Sequence, residues 1–130
     1  MTIVHLQNIP RLHTTPLASV QVKDSQVIAD VDDEQEKRFR LVFKPYQAMR
    51  MMTADCYSLP EGVTLIPNTV MEVLNSSWIV ELIRSLKQVD ETATFMGKAR
   101  HFIVPLQDDF LEVVAWGITT SDLIEPEKSR

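Results

Sequence analysis

Apolar and polar residues alternate along much of this chain. Across residues 18–23, Ala18, Val20 and Val22 fall on one face and Ser19, Gln21 and Lys23 on the other, the period of a half-buried strand. A two-residue turn at Asp24 and Ser25 pairs Val22 with Val27, Val20 with Ala29 and Ala18 with Val31, so every small apolar residue shares a face and a hairpin is predicted. Past the polar stretch 32–36, residues 37–44 alternate again, with Phe39, Leu41 and Phe43 opposing Arg38, Arg40 and Lys44. Pro45 has no N–H for a ladder, which predicts a bend or bulge before a less regular strand over 46–54. Turns are expected at 59–62 and at Pro67 and Asn68, with a short extended piece at 63–66 and a strand at 69–74.

The period then changes. Trp78, Ile79, Leu82, Ile83, Leu86 and Val89 lie on one stripe, opposed by Glu81, Arg84, Ser85, Gln88 and Asp90, which predicts an amphipathic helix over about 76–91. Asn75, Ser76 or Ser77 supplies the cap. Residues 99–118 form a closing hairpin about Gln107 and Asp108, with Ile103 opposite Glu112 and His101 opposite Val114. Alternation puts His101, Ile103, Phe110, Glu112, Val114 and Trp116 on one face. The expected architecture is α+β: a curved, mostly antiparallel sheet of about six to eight strands packed on one helix, with a barrel or sandwich as the alternative closure. A sheet face left uncovered would be buried by dimerisation, so a homodimer is one expectation.

Composition narrows the function classes. The 130 residues suit a single domain over 1–118 with a polar tail at 119–130. No apolar run approaches the roughly 20 residues of a membrane span, and the first residues lack the charged start and apolar core of a secretory signal. With Cys56 the only cysteine, no internal disulfide forms and a cytoplasmic location is expected. A net charge of −5 argues against nucleic acid or an anionic membrane as partner. Three glycines leave no phosphate-binding loop, and His5, His13 and His101 are too scattered for a metal motif, so no cofactor or metal is expected.

Chemistry concentrates in the closing hairpin. His101 sits diagonal to Glu112 and Trp116, the arrangement of a base, its orienting carboxylate and an aromatic wall. Glu72, in the strand at 69–74, is a second carboxylate if that strand lies alongside, making His101, Glu112 and Glu72 the catalytic candidates. The plainer interpretation is a cross-strand structural contact. Trp116, Arg38 and Arg40 are the binding candidates, the arginines forming a basic face with Lys44 and Arg50 that either meets an anionic ligand or pairs with the chain's own carboxylates. Cys56 has Asp55 beside it, which opposes thiolate formation.

The Ser76, Ser77, Trp78 helix start, followed by His101, Asp108, Asp109 and Glu112, resembles small bacterial α+β proteins of uncharacterised function, a resemblance that implies a cytosolic domain and no particular activity. The functional expectation is a non-catalytic binding or interaction module for an unknown protein or small-molecule ligand. The alternative is a small-molecule or enzymatic site built on His101, Glu112 and Trp116.

Overall fold

The computed structural model describes residues 1–59 and 64–123. Strands β1 (Thr2–His5), β2 (Ser19–Lys23), β3 (Gln26–Asp32), β4 (Arg38–Thr53), β5 (Met71–Leu74), β6 (Arg100–Pro105) and β7 (Asp109–Asp122) form one antiparallel sheet in the order β1-β5-β6-β7-β4-β3-β2. Helix α1 (Ser77–Val89) joins β5 to β6. The sheet stays open, with β1 and β2 as its edges, so the architecture is a curved α+β sheet and neither a closed barrel nor a sandwich. No helix among the described residues is long and apolar enough to cross a membrane.

Both expected hairpins form in register. Val20 pairs with Ala29 and Val22 with Val27, and the turn residues Asp24 (φ 49°) and Ser25 (φ 64°) both adopt the left-handed backbone that matches strand twist. The ladder begins at Ser19, leaving Ala18 outside it. In the closing hairpin Ile103 pairs with Glu112 and His101 with Val114. The turn expected at 59–62 and the extended piece at 63–66 fall partly on residues 60–63, outside those described.

Three elements depart from expectation. Strand β1 was not foreseen; it pairs with β5 at the sheet edge. Strand β7 continues to Asp122, pairing Thr119 with Val42 and Asp122 with Phe39, so the polar stretch expected to be a tail from 119 begins as sheet. Its side chains are exposed while its backbone is held in the ladder, which is why polarity alone misleads there. Strand β4 runs unbroken through Pro45, and the irregularity appears as a register shift between Tyr46 and Ala48.

One sheet face carries the main core: Val27, Ala29, Val31, Phe39, Leu41, Phe43, Phe102, Val104, Leu111, Val113 and Ala115, closed by Ile9 and Leu12 of the segment after β1. Phe43 and Phe102 meet at 5.4 Å between ring centroids, and both are wholly buried, each contributing about 1.5–3 kcal/mol of transfer free energy. The opposite face has a smaller cluster of Met71, Val73 and Ile103, joined by Ile3, Leu59 and Phe110. Helix α1 lies on this second face and buries none of its residues completely. Its stripe is half-buried through Leu86, but Val89, assigned to the same stripe by period, is 88% exposed.

Candidate functional site

The second face gathers a polar chain that links four elements. Ser76 caps α1, its Oγ accepting from the Ile79 N–H at 3.2 Å. The same Oγ lies 2.7 Å from His101 Nδ1 on β6, and His101 Nε2 bonds to Glu112 Oε1 on β7. Arg50 on β4 donates to that oxygen at 3.2 Å. An ionised carboxylate only accepts, so Nε2 carries the proton; in the neutral imidazole Nδ1 then accepts from the Ser76 hydroxyl. Ser76, His101 and Glu112 are all buried, and each is hydrogen-bonded, which is what keeps such a chain from being destabilising.

Burial pushes the Glu112 carboxyl upward, but hydrogen bonds from His101 and Arg50 and the charges behind them outweigh it, holding the group below the ordinary carboxylate range. Tyr57 moves the other way: burial first, and the Glu112 charge second, raise its phenol well above the usual value. Tyr57 follows the 3-10 turn Ala54–Cys56 and stacks on Phe110 at 4.2 Å between centroids.

Arg50 owes its place to the irregularity in β4. Had the register from Phe39 to Tyr46 continued, Arg50 would stand opposite Leu111; the extra residue sets it opposite Glu112. Its guanidinium carbon sits 4.0 Å from the Trp78 ring centroid, a cation–π contact that fixes its plane. Trp78 in turn meets the His101 ring edge-on at 5.2 Å and 74°.

These residues border a cavity of about 260 Å³. His101 and Glu112 form its floor, Arg50, Tyr57 and Trp78 its polar and aromatic walls, and Ile3, Leu59, Val73 and Ile103 its apolar side. The volume lies just below the range of drug-sized ligand pockets, so a small occupant fits.

The structure brings together His101 and Glu112 but not the other sequence candidates. Glu72 lies on the opposite sheet face, opposite Phe102 in the ladder, where Arg100 holds it in a bidentate pair at 2.7 and 3.0 Å. Trp116 does not wall the site. Lys98 Nζ lies 4.7 Å from its ring centroid, and its buried Nε1 has no hydrogen-bond partner among the described residues. Arg38 and Arg40 are engaged by Asp32 and Asp30 across the β3–β4 ladder, away from the cavity. Cys56 is exposed and free. Arg50, Ser76, Trp78 and Tyr57 were not read as site residues from the sequence. Ser76 was visible there only as a cap, and Arg50 only as part of the basic face.

No family model matches the chain, and no curated protein or solved structure is significantly similar to it, so the site is interpreted from its geometry alone.

Proposed function

We propose that this chain is a non-catalytic binding domain and that its recognition site is the cavity between α1 and the second sheet face. The observation that carries this reading is the closure of the polar chain. Both ring nitrogens of His101 are bonded inside the protein, to Ser76 and to Glu112, so the imidazole offers no lone pair to a proton in the cavity. A serine, an imidazole and a carboxylate in series have the composition of an acyl-transfer triad. Ser76, however, is 5% exposed, caps a helix and does not border the cavity. What faces the cavity is recognition chemistry: an aromatic wall, an apolar side and a guanidinium with spare donors.

The test is a fragment titration followed by amide and indole NMR shifts, with p-nitrophenyl acetate as a parallel probe of turnover. Fragments of about ten heavy atoms should move the signals of Trp78, Arg50 and Ile103 and leave those of β2 and β3 unchanged. Ester turnover that disappears in both His101→Gln and Ser76→Ala would overturn the reading, as would fragment binding only outside the cavity.

A further inference from the structure

Resting on that reading, we infer the chemical class of the occupant: a small organic carboxylate, its acid group held by Arg50 and by the first turn of α1, its apolar body over Ile3, Leu59, Val73 and Ile103.

Arg50 carries the argument. A guanidinium has five N–H donors, and among the described residues Arg50 uses one, to Glu112. Its side chain is 45% exposed and borders the cavity, so its remaining donors are free for an acceptor there. Stacking on Trp78 holds the fork in one plane, which lowers the entropy lost when a second carboxylate docks. Glu112 does not neutralise this capacity. It occupies one of the five donors, and its charge is shared between His101 and Arg50.

A second set of donors lies on the same cavity wall. Among the described residues the Ser77 backbone N–H and hydroxyl each contact only the Met1 sulfur, at 3.5 Å. A thioether is a weak acceptor, so a carboxylate oxygen entering beside Met1 would improve both bonds. It would also sit at the positive end of a 13-residue helix. Met1, Ser77 and Arg50 border the one cavity, so a single acid group has donors from both elements. Of the remaining lining Ile3, Leu59, Val73, Trp78 and Ile103 are apolar or aromatic, and His101 and Glu112 already have partners inside the protein, which favours a compact hydrocarbon body over a sugar or a polyanion.

The test compares acids with their neutral amides: benzoate with benzamide and isobutyrate with isobutyramide, at low salt. Trp78 fluorescence is read in a Trp116→Phe background, where Trp78 is the one remaining tryptophan. Each acid should bind about tenfold or more tightly than its amide, the size of one charge-assisted hydrogen bond over its neutral counterpart. Arg50→Gln should erase that preference while the circular dichroism spectrum stays unchanged. Equal binding of acid and amide, or a preference that survives Arg50→Gln, overturns this inference and leaves the binding reading standing. If neither acids, amides nor the fragment set reach the cavity, both fall.

Discussion

Replacing Glu112 with glutamine removes one charge from the cavity floor while keeping the volume and an oxygen that can still accept from His101. The native carboxylate accepts from Arg50 at 3.2 Å and from His101, both charge-assisted. Such bonds contribute about 1.5–3 kcal/mol each, against about 0.5–1.5 kcal/mol for neutral ones. Arg50 is nearly half exposed, so water makes up part of what it loses. The expected cost of Glu112→Gln at pH 7 is therefore about 1–2 kcal/mol by the same scale. Urea unfolding followed by circular dichroism, with a slope of about 1–3 kcal/mol/M, should show the midpoint falling by roughly 0.5–1 M. The pH dependence has a definite sign. Because the folded protein holds Glu112 below its unfolded pKa, its contribution is complete above the ordinary carboxylate value of about 4.3 and is lost as pH falls through the folded value beneath it. The gap between wild type and Glu112→Gln should stay constant from about pH 7 to 5 and close on further acidification. No gap at pH 7, or one that persists undiminished at pH 2, would refute the claim that charge assistance stabilises this chain.

Two further outcomes test the frame around the site. Ser76→Ala removes both the cap on Ile79 and the partner of His101 Nδ1, so thermal and denaturant melts should show a loss of about 2–3 kcal/mol; Ser77→Ala should stay within about 0.5 kcal/mol, its hydroxyl meeting a thioether sulfur, a weak acceptor. A larger effect at Ser77 than at Ser76 would contradict the capping assignment. The double change Asp24→Asn, Ser25→Gly suits two residues at positive φ and should stabilise by about 0.5–1 kcal/mol with an unchanged denaturant slope; a loss of stability would contradict the turn geometry.

How much could be read from the sequence depended on whether a feature was set by local pattern or by crossing elements. The β2–β3 and β6–β7 registers were legible because a single pairing puts all the apolar residues on one side, and a one-residue slip would turn them outward. His101 and Glu112 follow from that register. Trp116 does not, because Ala115 and Ile118 both reach the main core, so strict alternation is broken between them. Strand β1 has four residues and only two of them half-buried, too little pattern to declare a strand. The second role of Ser76, bonding His101, arises only when α1 is laid across β6. Tyr57 reaches the site through an irregular turn that carries no periodic signal.

The register shift in β4 has a consequence for how this site would be recognised in related chains. Between Tyr46 and Arg50 the residue count and the bulge together decide which side chain faces Glu112. A related protein with the same number of residues there but no bulge would aim its arginine at Leu111, while one a residue shorter would restore the pairing with Glu112 through a regular ladder. The extra residue and the bulge that absorbs it thus go together, and an alignment that forbids a one-residue gap in this stretch would misplace the arginine that meets Glu112.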